Sequence, residues 1–352
     1  MGLERKVAEF AARVAPVDLA AREAALARHD RLVKPARSLG RVEAIGVRLA
    51  AIARACPAPV PRRPVVLIAA GDHGVLDQGV SPWPREVTAA MIAGFCSGTA
   101  AVNAIATTVG AEVLVVDVGV ASDLPAHPRL RDARVRPGTA DLSQGPAMTR
   151  AEAAAAVLAG ATAAEDLIDG GADLIVTGDM GIGNSTPAAC LIAAFTGRPA
   201  AEVTGRGTGI DDATLDLKTR IVGRAIDLHR PDPGDALGVL AAVGGLEHAA
   251  LAGLILAGAA RCIPVVLDGV NAAAAALVAA ALCPETVGYL LAGHRSVEPG
   301  AGAALDHLGL QPLLDLEMRL GEGTGGLLAV PIIVAAAAVL RDMATFDEMG
   351  IG

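Results

Sequence analysis

ADLIVTGDMGIGNSTPAACLIAAF, residues 172–195, is the stretch whose reading decides the fold. Leu174 to Thr177 form a short apolar run that ends in a glycine-rich turn carrying Asp179, and an alanine-rich helical run follows. A continuously apolar strand is one buried on both faces, and its alternation with helices marks a parallel sheet. Ser185 and Thr186 are candidate helix caps, and Pro187 suits the first helical position. The turn from Gly181 to Thr186 then leaves backbone N–H groups at a helix N-terminus, a ready seat for a phosphate monoester or carboxylate. A tight strand-to-helix turn without a ligand would leave the same signature.

The pattern recurs along the chain. Val65–Ala70 ends at Asp72, Val113–Val116 at Asp117, Val265–Leu267 at Asp268, and Val287–Ala292 near His294. Each run is followed by an alanine-rich stretch of helical composition, so the expectation is a doubly wound, mostly parallel α/β sheet. In such a sheet ligands bind outside the carboxyl ends of the strands, which is where this chain concentrates its polar residues. A single Asp at a strand end can be no more than a helix cap, but several beside glycine-rich turns point to a shared pocket. Residues 1 to about 60 read as helical, and Pro57–Pro64 (PAPVPRRP) punctuates the chain before the first strand.

The 352 residues suit one large α/β unit or two domains, and 38 acidic against 29 basic residues give a net charge of −9. Only Lys6, Lys34 and Lys218 are lysines, so the chain has no polybasic segment to attract nucleic acid or an anionic membrane. A hydrophobic share of 53% excludes a disordered chain, and 2% aromatics excludes a stacking platform for single strands. The five cysteines contain no C-x-x-C pair and read as reduced, mostly buried thiols. MGLERKVAEFAARVAP lacks the apolar core of a secretory signal, so a cytoplasmic protein is expected. Gly323–Leu340 has 18 residues without a charge, the lower limit for a membrane span. Its glycines, Pro331 and lack of flanking aromatics favour a buried helix of a layered fold.

Two further loops carry chemistry. GRGTGIDDATLDLK, residues 205–218, joins glycines to a helix with Asp211 and Asp212 as caps. Its Lys218 is either a point charge for a phosphate or part of a solvated helix face. MRLGEGTGG, residues 318–326, satisfies G-x-G-x-x-G. Too little chain follows it to supply a dinucleotide-binding half. Its Glu322, between glycines and ahead of an apolar helix, is expected to be desolvated, which would raise its pKa and suit it to general base work. Stabilisation of the helix N-terminus by its charge is the plainer alternative. There is no P-loop, no H-E-x-x-H and no G-x-S-x-G. His73 and His294 stand at glycine-rich strand ends and are expected to be hydrogen-bonded rather than to hold a metal.

Taken together, KPARSLGRVE (34–43), AAGDHGV (69–75), GVSPWPREVT (79–88), GDMGIGNSTPAA (178–189), GTGIDDATLDLK (207–218), VVLDG (265–269), GHRSVEPG (293–300) and LLDLEMRLGEGTGG (313–326) resemble the nicotinate-nucleotide:dimethylbenzimidazole phosphoribosyltransferase family. The resemblance runs in order from Lys34 to the C-terminal MATFDEMGIG, about nine-tenths of the chain. It implies transfer of the ribosyl phosphate of nicotinate mononucleotide to 5,6-dimethylbenzimidazole or a related base. The products would be nicotinate and α-ribazole 5′-phosphate, for the lower ligand of cobalamin.

The resemblance also implies a homodimer without a metal or other cofactor. Its fold would be a Rossmann-like large domain over 60–325 and a small helical domain from 1–59 with 326–352. Glu322 becomes the base that removes the benzimidazole N–H proton. Asp179, Gly181, Gly183, Asn184, Ser185, Lys218, Asp268, Ser296, Ser81 and Gly323 become substrate-side residues, Lys218 and Ser296 toward the phosphate. The chain departs from the family pattern at Asp179 (usually glutamate), Ala90 (usually glutamine), and Glu317 and Arg37 (usually glycine). The resemblance therefore fixes the reaction type more tightly than the base. A non-catalytic nucleotide-binding regulatory protein of the same fold is the alternative.

Overall fold

A computed structural model of the chain describes residues 2–351. Six strands form one sheet: β1 (Pro64–Gly71), β2 (Glu112–Gly119), β3 (Leu130–Asp132), β4 (Leu174–Met180), β5 (Val265–Leu267) and β6 (Leu290–Ala292). Their order is β3-β2-β1-β4-β5-β6 and every neighbouring pair is parallel. From β1 the chain builds outward to β2 and β3, then returns to the other side of β1 with β4. The reversal opens a crevice at the carboxyl ends of β1 and β4, the ligand position of doubly wound folds.

Four of the five apolar runs are strands over their whole length. The fifth begins later, because Pro284–Tyr289 forms a 3₁₀ turn and only Leu290–Ala292 pairs with β5. The three-residue edge strand β3 has no apolar run to announce it.

Alternate strand residues serve opposite faces of the sheet. Leu67, Ala69, Val116, Ile175 and Val265 join one core with the helices Arg150–Asp169, Leu246–Ala260 and Val270–Leu282. Val66, Ile68, Val115, Val176 and Val266 join the other with the helices Arg41–Ala53, Glu86–Ser97 and Thr324–Asp342. Alanine fills both layers, and small residues let backbones approach closely. Where Arg150–Asp169 crosses Leu246–Ala260, a Cβ on Gly160 would overlap the Ala250 carbonyl, and one on Gly253 the Val157 carbonyl.

The first 60 residues hold the expected helices, Leu3–Ala11, Leu19–Arg31 and Arg41–Ala53. The chain ends meet: Val33 N donates to Ala344 O (3.0 Å), Phe346 N to Arg31 O (2.8 Å) and Arg28 Nε to Leu340 O (2.6 Å). Leu3–Ala11 lies instead on the opposite layer, against Arg150–Asp169 and Leu246–Ala260. Thr324–Asp342 is long and apolar enough to cross a bilayer, but it packs along β4 and β5 and buries Leu327, Val330 and Ile333.

Candidate active site

A cavity of about 430 Å³ opens at the carboxyl ends of β1, β4, β5 and β6, within the size range of small-molecule sites. One end is built for an anion. The helix Ser185–Thr196 begins at the glycine turn, with Asn184 rather than Ser185 or Thr186 as its N-cap, and Pro187 is its third residue. Ile182 N is spent on Thr88 Oγ1 (3.1 Å), Asn184 N on Gly181 O (3.1 Å) and Thr186 N on Gly183 O (3.0 Å). The N–H groups of Gly183 and Ser185 carry no hydrogen bond among the described residues. Lys218 comes from the helix Asp212–His229, which Asp211 caps by accepting from Thr214 N (2.8 Å).

Lys218 is 1% exposed, so it is not a solvated helix residue. Its Nζ donates to Ser185 Oγ (2.8 Å) and Gly205 O (3.0 Å), and burial brings its pKa down to about 8.

Two carboxylates define the other end. Asp179 closes β4 and Glu322 stands on the loop ahead of the helix Thr324–Asp342, each 6% exposed. Burial, then the charge of Asp268, push Asp179 up to about 7 against the hydrogen bonds from Asn184 and Asn271. Burial, then the charges of Asp179 and Asp268, push Glu322 up to about 7 as well. Glu322 Oε2 has no partner among the described residues. The loop is wound tightly, with Gly321, Glu322 and Gly323 at φ of 84°, 65° and 92°. A glutamate held in the left-handed region between two glycines is backbone strain of about 1–3 kcal/mol placed at a site. Between the two ends Val80, Val87, Met91, Met180 and Leu320 give an apolar wall, with Trp83 at the rim.

Of the expected site residues, the cavity is lined by Glu322, Asp179, Gly181, Gly183, Asn184, Ser185, Lys218, Ser296 and Ser81. Asp268 and Gly323 sit beneath it. Asp268 accepts from Gly323 N (3.1 Å) and Gly326 N (2.9 Å), so its carboxylate caps the helix Thr324–Asp342 and holds the Glu322 loop on the sheet. Ala90 is exposed on the helix Glu86–Ser97 and lies outside the cavity lining, which takes Val87 and Met91 instead.

Sequence reasoning missed Glu298, whose Oε1 accepts from Gly207 N (2.8 Å), and Asn271, which donates to Asp179 Oδ2 (2.7 Å). It also missed Arg206 and Arg319 on the lining. Arg206, Glu298 and Arg319 all lie inside the quoted motifs, Arg206 directly between Gly205 and Gly207, and were legible there as polar residues beside glycine turns. His294 lines the cavity and approaches Asp268 at 3.6 Å. Among the described residues no group of three His, Cys, Asp or Glu is placed to hold a metal.

An anion turn with a buried lysine, an apolar slot and two buried carboxyls near neutral pKa suit an α/β enzyme that takes an anionic substrate and moves a proton. A family model described as phosphoribosyltransferase matches residues 14–351, and the chain belongs to that family. The nicotinate-nucleotide–dimethylbenzimidazole phosphoribosyltransferase of Salinispora tropica is 54% identical over 365 residues, covering 100% of this chain and 99% of that protein. The Chloroflexus aggregans protein of the same name is 54% identical over 338 residues, 96% of each chain. The crystal structure of the corresponding Thermus thermophilus enzyme superposes with a TM-score of 0.90 at 47% identity, covering 95% of this chain and 99% of that one.

Proposed function

We propose that this phosphoribosyltransferase moves the ribosyl phosphate of nicotinate mononucleotide to 5,6-dimethylbenzimidazole or a closely related base, releasing nicotinate and forming α-ribazole 5′-phosphate. The observation that carries the reading is the pairing of an anion turn closed by Lys218 with the buried carboxyl of Glu322, across one apolar slot. The phosphate sits at the Gly183 and Ser185 N–H groups, beside the Lys218 ammonium and Ser296. The base lies flat between Met180, Val87 and Met91. Glu322 takes the proton from one ring nitrogen, the other nitrogen bonds to C1′ of the ribose, and the C1′–N bond to nicotinate breaks with its electron pair passing to the pyridine nitrogen. The cationic pyridinium is already a good leaving group, so positioning the base and excluding water are the main tasks. A positioned general base adds about 10² to 10⁴ in rate.

Asp268 supports the site by holding the Glu322 loop. Of the helical segments 1–59 and 326–352, Leu19–Arg31 and Arg41–Ala53 pack with Thr324–Asp342 as the frame against which that loop is set, Leu3–Ala11 stands on the opposite layer, and 60–325 carry the sheet and the cavity. Trp83, Val297, Leu316 and Leu320 are exposed large apolar residues on the loops around the cavity, which favours a homodimer with its interface near the mouth. We place the reaction in the cytoplasm.

The test incubates purified protein with nicotinate mononucleotide and dimethylbenzimidazole and follows nicotinate release together with riboside phosphate formation. Coupled products from wild type, and at least 100-fold less from Glu322→Gln, support the reading. Absence of product with dimethylbenzimidazole, adenine or phenol overturns it and favours a nucleotide-binding regulator of the same fold.

A further inference from the structure

Behind Asp179 runs a row of buried polar groups that the reaction above does not use and that meets the cavity lining at Asn271. His73 follows β1, Glu247 and His248 open the helix Leu246–Ala260, and Asn271 lies in the first turn of the helix Val270–Leu282. Glu247 Oε1 is 3.0 Å from His73 Nε2 and 2.8 Å from His248 Nδ1. His248 Nε2 is 3.1 Å from Asn271 Oδ1, and Asn271 Nδ2 donates to Asp179 Oδ2 at 2.7 Å. Every member is 6% exposed or less.

Hydrogen bonding and charge favour one protonation state. The Asn271 amide nitrogen is spent on the Asp179 carboxylate, so its oxygen faces His248, and His248 Nε2 must bear hydrogen. His248 Nδ1 lies at ion-pair distance from the Glu247 carboxylate, whose charge favours a hydrogen there too. The surroundings of His248 thus favour the imidazolium, with Glu247 as its counter-ion. Burial opposes both charges, but the neighbouring charges outweigh it: Glu247 holds His248 above its ordinary pKa, and His73, then His248, hold Glu247 far below the usual carboxylate range.

A buried ion pair is rarely kept for stability, because apolar residues of similar volume often do as well. This one has a direction. The imidazolium polarises the Asn271 amide and strengthens the bond that the amide gives to Asp179. Asn184 Nδ2 donates to the same Oδ2 at 2.8 Å, which leaves Oδ1 as the Asp179 oxygen without a partner among the described residues.

We propose that Glu247, His248 and Asn271 form a positioning unit that fixes Asp179 by its Oδ2 and leaves Oδ1 for the substrates, so that the unit governs turnover of bound substrates rather than their affinity. This deepens the transferase reading and rests on it. The charged groups that bear on Asp179 are His248 from the helix behind it, Asp268 from the end of β5, and Glu322 from the loop above. His248 is the only cation among them.

The test compares wild type with Asn271→Leu and His248→Gln under steady-state conditions across pH. Asn271→Leu should lower kcat 10- to 100-fold while KM for nicotinate mononucleotide stays within threefold, and His248→Gln should fall between. Both should move the acid limb of the kcat profile to higher pH, because each removes an influence that favours the ionised form of Asp179. Imidazole ¹⁵N NMR of the wild-type protein supplies a readout that needs no variant. Both nitrogens of His248 should carry protons at neutral pH. Folded variants with wild-type kcat and an unmoved profile would overturn the inference, as would a neutral His248. A wild-type protein that turns nothing over defeats the transferase reading instead.

Discussion

Replacing Glu322 by glutamine should cost the enzyme its activity and give back stability, in a way that depends on pH. The carboxyl has an ordinary pKa of 4.5 and is pushed up to about 7 in the fold. Native protein therefore holds this proton more tightly than the unfolded chain does. The group's contribution to stability is complete below its unfolded pKa and is lost as pH rises through about 7. With those two values, the loss between about pH 5.5 and about pH 8.5 comes to about 2 kcal/mol. Asp179 titrates in the same range and is coupled to Glu322, so the two protons leave in macroscopic steps that belong to the pair.

Glutamine carries no charge at either pH. The variant should therefore gain on wild type as pH rises, by about 3 °C in Tm for a chain of this size. Thermal unfolding of both proteins at the two pH values, with transfer activity measured on the same samples, checks the argument. A Tm difference that is equal at both pH values would refute the burial of an ionised Glu322. Wild-type turnover in the variant would refute its role as the base.

The free enzyme's kcat/KM should follow a bell, since the base must be ionised above about 7 while Lys218 stays charged below about 8; a flat profile from pH 6 to 9 would count against both assignments. Asp268→Asn leaves one of two buried N–H groups facing an amide nitrogen, and should cost about 1.5–3 kcal/mol in denaturant unfolding. The same change removes a negative charge that raises Asp179 and Glu322, so the acid limb should move to lower pH. Arg37 and Glu317 sit at φ of 60° and 55°, so Arg37→Gly and Glu317→Gly should each stabilise by up to about 1 kcal/mol, the relief of a left-handed side chain less the added freedom of glycine when unfolded. Unchanged or lowered denaturation midpoints would show that neither position is strained.

The sheet was largely legible because a parallel strand writes itself as an unbroken apolar run, and β1, β2, β4 and β5 all do so. β3 was not legible: Leu-Arg-Asp is half solvent-facing and too short to carry a period. Pro284 and Gly288 hid the turn that delays β6, because the flanking Val287 and Leu290 continue the apolar signal. Within the site, glycine loops and strand-end acids located the cavity, and the rarity of lysine singled out Lys218, which is buried on its lining. What sequence could not supply was the direction in which a side chain faces. Asp268 reads like Asp179, yet one caps a helix from beneath and the other lines the cavity. The Glu247–His248 pair left a trace, adjacent ionisable residues at the head of an otherwise apolar helix, but its partners are separated in sequence and meet only once the layers are stacked.

The glycine crossing between Arg150–Asp169 and Leu246–Ala260 has a bearing on how this site can vary. With backbone against backbone at Gly160 and Gly253, no rotamer or methylene intervenes to act as a spacer. The height of the second helix above its neighbour is thus set by covalent dimensions and cannot drift with ordinary core substitutions. Glu247 and His248 ride at the head of that helix. The floor of the pocket is in effect a fixed datum, and adaptation to a different acceptor base is confined to its walls, to residues such as Val87, Met91, Met180 and Leu320 that can change shape without moving the charges beneath them.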